Sequence, residues 1–173
     1  MRLEFDSANN TIALDGDPVS LHCHHYNCGL LKTIEDIPGI DGPALFARTA
    51  AEEVFQVFRK RYLNTAGETP PEETLARASE LYSFMGFGKI DLARAGARGG
   101  VVRASSSYFV TAWLAKYGRR QTPLCHFTCG FITGVLAAVF RTVPEAYRAA
   151  ETGCMIQGRE RCEFLVSRVE NGG

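Results

Sequence analysis

The alternation of apolar and polar residues divides the chain into short strands and longer helices. Residues 2–14 alternate as L-E-F and T-I-A-L around Ala8-Asn9-Asn10, which predicts a hairpin, and Asp15–Pro18 then breaks the strand. A helical period follows from the residues just after Leu21 to Pro38-Gly39. Leu30, Leu31 and Ile34 lie on its inward side, and stepping back from Ile34 through Leu30 reaches Tyr26 and His22. Gly42-Pro43 opens a second helix. Its stripe is Leu45, Phe46, Ala50, Val54, Val57 and Phe58, and it runs through Tyr62. Asn64–Pro71 reads as a loop. A third helix starts there with Glu72 and Glu73 in its first turn and buries Leu75, Ala78, Leu81, Tyr82 and Met85.

Gly86-Phe87-Gly88 ends that helix. Strands are expected at Lys89–Ala93 and Val101–Ala104, with Gly96–Gly100 as hairpin-loop material. Ser105–Ser107 offers a cap for a helix over Tyr108–Tyr117, with Tyr108, Phe109, Ala112, Trp113 and Lys116 near one side. The next helix, from Cys125 to Phe140, is rich in small residues. Gly130 and Gly134, four apart, leave one face without side-chain bulk, so a backbone or a ligand can come close. Two strand-like runs close the chain, Tyr147–Ile156 and Arg161–Val169, joined by a turn at Gln157–Glu160. Strands separated by helical blocks predict an α+β fold, an antiparallel sheet covered mainly on one face by helices, in one domain spanning 1–173.

Composition narrows the function classes. The net charge is zero with 22% charged residues, which favours neither nucleic acid nor an anionic membrane as partner. The longest apolar run, Gly130–Phe140, is too short for a membrane span. With no export signal visible, six cysteines are expected as reduced thiols, metal-bound or buried, in the cytoplasm. No nucleophile elbow and no phosphate-binding glycine loop are legible, which argues against an enzyme of those types.

Two clusters carry candidate chemistry. The first is Cys125, Glu151, Cys154 and Cys162. A turn between the last two strands brings Cys154 and Cys162 together, and Glu151 lies about one strand step away. Thiolates and a carboxylate suit a borderline-soft ion and suggest Zn²⁺; Cys129 is a fifth candidate ligand. The bland alternative is ordinary buried cysteine. The second cluster, L-H-C-H-H-Y-N-C over 21–28, holds three of the four histidines. Its pairs at helical spacing can bind a metal, ligate haem iron or hydrogen-bond a ligand, or can simply be satisfied polar groups on a helix face.

Cys125, Gly130, Gly134 and Glu151-x-x-Cys154-x7-Cys162-x-Phe164 together resemble the C-terminal signature of the 4-vinyl reductase family of small-molecule-binding domains. That family includes sensor domains of phenol- and toluene-responsive transcription activators and proteins of bacteriochlorophyll synthesis. Its fold is similar to that of the ligand-binding domains of NO signalling and of Golgi-transport tethering subunits. The resemblance is close over about the last fifty residues and elsewhere is one of element order; Phe140–Ala150 is a few residues longer than in the sensors. It implies the same α+β fold, a structural zinc on Cys125, Glu151, Cys154 and Cys162 beside a ligand pocket, and a homodimer.

Two functions follow. One is a sensor or carrier domain that contains zinc and holds a small apolar or aromatic hydrocarbon-type ligand with Phe84, Phe87, Tyr108, Trp113 and His22, His25 or Tyr26. The other is a metal-, haem- or tetrapyrrole-binding enzyme or cofactor carrier using the His22–Cys28 cluster, with electrons from outside, since no nicotinamide or flavin fingerprint is present.

Overall fold

The computed structural model describes residues 1–60 and 69–169. The expected helix end through Tyr62 and most of the Asn64–Pro71 loop lie outside the described residues. The chain begins with a three-stranded antiparallel meander, β1 (Leu3–Asp6), β2 (Thr11–Leu14) and β3 (Asp17–Val19). The expected hairpin is its first half, with Phe5 opposite Ile12 and Leu3 opposite Leu14. Asp15–Pro18 does more than break the strand. Asp15 and Gly16 both take positive φ and turn the chain, so that Asp17–Val19 pairs back onto β2.

Three helices follow, α1 (His24–Glu35), α2 (Gly42–Phe58) and α3 (Pro71–Phe84). The inward face of α1 is not the expected stripe. Cys28 and Leu31 are fully buried, whereas Tyr26 and Leu30 are exposed and His22 precedes the helix. Cys28 and Leu31 are three residues apart, so the buried side is rotated by about one residue from the expected face. Asp41 caps α2 by accepting from the Ala44 N–H at 3.0 Å. Phe55 and Phe58 of α2 are buried, while Leu45 and Val57 lie at its exposed margin. On α3, Thr74, Leu75, Ala78, Leu81 and Tyr82 are buried, and Met85 is exposed just past its end.

The main sheet is antiparallel, in the order β4 (Gly88–Asp91), β6 (Gly99–Ser107), β8 (Cys162–Arg168), β7 (Tyr147–Gly153), with β5 (Ala95–Gly96) paired to β6. The expected strand at Val101–Ala104 is the middle of a longer one. It runs into Ser107, whose hydroxyl accepts from the Val110 N–H at the start of α4 (Tyr108–Tyr117). The strand from Tyr147 ends at Gly153 rather than Ile156, because Met155–Gln157 forms a 3-10 turn closed by Gly158 at positive φ.

Helix α5 (His126–Val139) is the centre of the molecule. From Thr128 to Val139 every residue is buried, as a helix packed on all sides requires. Its contact with α2 is backbone on backbone. A Cβ added at Gly130 would collide with the Ala47 carbonyl oxygen, and one at Gly134 would sit 2.5 Å from that of Ala51. The small-residue face therefore receives a helix rather than a ligand. This close packing fixes the N-terminus of α5, and with it Cys125, against the ends of β7 and β8.

Candidate functional site: a sulfur centre beside an aromatic cavity

Four side chains from different elements meet at the N-terminus of α5. Cys125 precedes the helix, Glu151 is on β7, Cys154 follows β7, and Cys162 opens β8. One ligand atom of each lies within 4.8 Å of the others. The three sulfurs form a nearly even triangle, with edges of 3.7 Å (Cys125–Cys162), 3.7 Å (Cys154–Cys162) and 4.0 Å (Cys125–Cys154). A disulfide brings sulfurs to about 2.05 Å. A tetrahedral ion with metal–sulfur bonds of about 2.3 Å separates them by about 3.8 Å. The triangle has the second geometry. Glu151 Oε2 accepts from the Leu124 and Cys125 amides at 3.1 and 2.9 Å, which orients the carboxylate, and buried Oε1 has no hydrogen-bond partner among the described residues.

The electrostatics of the four groups also call for a cation. Burial pushes the Glu151 carboxyl up to about 7, and the Cys154 charge adds to the rise. Thiol hydrogen bonds from Cys125 and Cys162 hold the Cys154 thiol down, so one thiolate is shared among three sulfurs. Those same bonds, with burial, push Cys125 up. A divalent cation would reverse this competition and release protons on binding. Three soft sulfurs, one oriented carboxylate and one orphaned oxygen fit a four-coordinate metal ion. Cys129, one turn further along α5, stands outside this group; burial raises its thiol to about 12. Among the described residues, the 22–28 cluster brings no three ligand atoms together in this way.

An open cavity of about 600 Å³ lies on the other side of α4 and α5. Phe46, Phe87, Tyr108, Phe109 and Phe127 form its walls, and Leu3, Leu14 and Val19 of the meander cover it. Phe87 bridges the aromatics, with ring centroids 4.5 Å from Phe127 and 5.4 Å from Tyr108. The polar end is made by Ser20, His22, Cys23, His24 and Asn27, and among the described residues no Asp, Glu, Lys or Arg lines the cavity. Asn27 hydrogen-bonds the Tyr108 hydroxyl, whose pKa burial raises. Ser20 Oγ lies 3.3 Å from His22 Nε2.

Of the residues expected at a ligand site, His22, Phe84, Phe87 and Tyr108 line this cavity, and His25, Tyr26 and Trp113 do not. Because α1 begins at His24, its cavity side carries His24 and Asn27, and Tyr26 points to solvent. Trp113 is five residues beyond Tyr108, about 140° around α4. It is buried under the Arg120 guanidinium, 4.8 Å from its ring centroid. Sequence reading passed over Asn27 and the cavity roles of Phe46, Phe109 and Phe127. Their common signal is aromatic or polar residues at helix starts, which is equally the signal of ordinary core.

Arg120 also ties α1 to the sulfur centre. It makes a two-point ion pair with Glu35 at 2.8 and 3.0 Å and donates to the Pro123 carbonyl at 2.9 Å. His126 Nε2 lies 3.3 Å from the same carboxylate. Burial alone would raise the Glu35 pKa, but hydrogen bonds from His126 and Arg120 outweigh it and hold the group at about 2. Because the folded value lies below the unfolded one, this pair stabilises the protein above about pH 4.5. That stability is lost as pH falls from about 4.5 toward 2, on the order of 2 kcal/mol in all. Urea titrations of the wild type and Glu35→Gln across that window measure it. The wild type should lose more stability than the variant, and parallel curves would contradict the pairing.

Residues 109–168 match the family model of the vinyl-4-reductase domain. The chain carries a vinyl-4-reductase domain. The matched segment runs from α4 to the end of β8 and contains all four ligands of the sulfur centre. Among solved structures, the phenol-responsive sensory domain of the transcription activator PoxR, determined with phenol, has the same fold. Its TM-score is 0.79 at 20% identity, over 99% of this chain and 87% of that chain. A vinyl-4-reductase family protein from Methanocaldococcus jannaschii aligns at a TM-score of 0.43 and 16% identity, over 84% of this chain and 92% of that one. No curated protein matches the chain. Among the described residues no helix is long and apolar enough to cross a membrane.

Proposed function

We propose that this protein is a zinc-containing sensor or carrier domain for a small, neutral, apolar or aromatic molecule. The cavity carries this reading. A space of about 600 Å³ with five aromatic rings, one polar end and, among the described residues, no acidic or basic side chain except histidine suits such a ligand. The lack of a counter-charge disfavours anions, because an unpaired carboxylate is costly to bury. Zinc at the sulfur centre has a structural role: four protein ligands leave no open position for a water nucleophile. The PoxR domain was determined with phenol, and phenol is a suitable first ligand to test here. The site of action we propose is the cytoplasm, where the six free cysteines stay reduced.

The neutral fluorophore N-phenyl-1-naphthylamine tests the reading. Its emission should rise on binding. Toluene and phenol should displace it at least about tenfold more effectively than benzoate, the cost of burying an unpaired charge. Asn27→Leu should weaken phenol more than toluene, since the polar end is then lost. No rise in emission, or equal displacement by benzoate, would refute the ligand class.

The working unit we propose is a homodimer. Leu3, Phe5, Leu21 and Tyr26 are all at least half exposed around the meander and the start of α1, more apolar surface than one edge of a monomer usually leaves uncovered. Light scattering at micromolar concentration should give twice the chain mass of 19.0 kDa; the single-chain mass would refute the dimer.

A further inference from the structure

Among the described residues, each sulfur of the centre has a hydrogen-bonding neighbour outside the ligand set. Cys162 Sγ accepts from the Met155 amide at 3.5 Å, and Cys154 accepts from the Ile156 amide. Both donors belong to the backbone of the 3-10 turn, which no side-chain change removes. Cys125 differs: its neighbour is the hydroxyl of Ser107, 3.5 Å from the sulfur and 3% exposed. Ser107 Oγ already accepts from the Val110 N–H, so an acceptor lone pair is engaged and its single proton is free to point at the sulfur. A metal-bound thiolate has no proton, so in the loaded centre the hydroxyl must be the donor.

We infer that Ser107 is a positioning residue of the metal centre, a side-chain hydroxyl that orients Cys125 and moderates its charge. The inference rests on the metal reading above. Its physical basis is general: donors to a ligating atom fix its orientation and tune its basicity, and their loss costs about ten- to a hundredfold in metal affinity. Position 107 is the junction of β6 and α4, where the last strand residue becomes the helix cap. The same side chain thus serves the helix through its lone pair and the centre through its proton.

These two roles separate by substitution. Glycine is a tolerable N-cap without a side chain, whereas alanine is a poor one. Threonine keeps both the acceptor and the donor. Zinc affinity is read by competition with a chromophoric chelator, and the sulfur-to-metal charge-transfer band is read with Co²⁺. Ser107→Gly and Ser107→Ala should both bind zinc about ten- to a hundredfold more weakly. Their Co²⁺ band should move to lower energy, because an unbonded thiolate is more electron-rich. Ser107→Thr should return both readouts to near wild type. If Ser107→Gly binds zinc as tightly as the wild type with an unshifted band, Ser107 is only a helix cap and the inference is overturned. If the wild type itself takes up neither Zn²⁺ nor Co²⁺, the metal reading falls, and this inference with it.

Discussion

Cys154→Ala is expected to leave the protein without stoichiometric zinc and to lower its melting temperature by about 10 °C. The remaining three ligands cannot complete a closed tetrahedral site, and the shared thiolate is lost with Cys154. Binding to the folded state alone stabilises by RT ln(1 + [L]/Kd), about 4 kcal/mol when free metal is about a thousand times Kd. For a domain of this length that corresponds to about 8–16 °C. Elemental analysis of freshly purified, unchelated protein and a thermal melt check both parts. A wild type without metal, or a variant that melts with the wild type, would contradict the expectation. Chelation of the wild type should reproduce most of the shift.

Gly130→Ala is expected to destabilise by about 3 kcal/mol, against the usual direction for this exchange. In an open helix, glycine to alanine gains up to about 1 kcal/mol. Here the new methyl would collide with the Ala47 carbonyl oxygen and lie 2.8 Å from Ala50 Cβ. Neither contact is a flexible side-chain end, so α2 and α5 must separate along their whole interface, and overpacking of this kind costs about 1–3 kcal/mol or more. Because α5 also carries Cys125 at its N-terminus, the shift should loosen the metal centre as well. Urea denaturation with zinc present measures the first effect. A variant as stable as the wild type would show that the helices are not held at this distance.

The sulfur centre was legible because its spacing is local. A turn between two strands of the expected length places Cys154 beside Cys162, and the glycines of α5 mark a helix that must be approached closely. The phase of α1 was not legible in the same way. Cys23, at its N-cap, makes no side-chain capping bond, so nothing in the sequence marks where the helix starts. A stripe drawn through Ile34 and Leu30 looks as periodic as the true one through Leu31 and Cys28. The Glu35–Arg120 pair joins residues 85 positions apart, and no pattern along the chain announces it. The cavity failed to show for a different reason. Phe46, Phe109 and Phe127 have the spacing of core residues, and whether core residues enclose a space depends on how three helices and a meander meet. The extra residues over Phe140–Ala150 fold into a local turn, with Arg141 at positive φ and a 3-10 segment at Pro144–Ala146, which leaves Glu151 in reach of the sulfurs.

The meander that covers the cavity has a consequence for how a ligand gets in. Its strands bond to one another, and among the described residues it meets the body of the protein through a few groups: Leu14 and Val19 in the core, and Asp17 paired with Lys60 at 3.0 Å. A segment with so little buried surface opens at a free energy well below that of global unfolding. Amide hydrogens of Phe5, Ile12 and Ala13 should therefore exchange with solvent orders of magnitude faster than those of α5 or β8. Entry then needs only a local opening of these strands, while the sulfur centre and the packed helix pair stay closed. A bound ligand, by filling the space beneath Leu14, should slow that exchange and so report its own arrival at the edge of the fold.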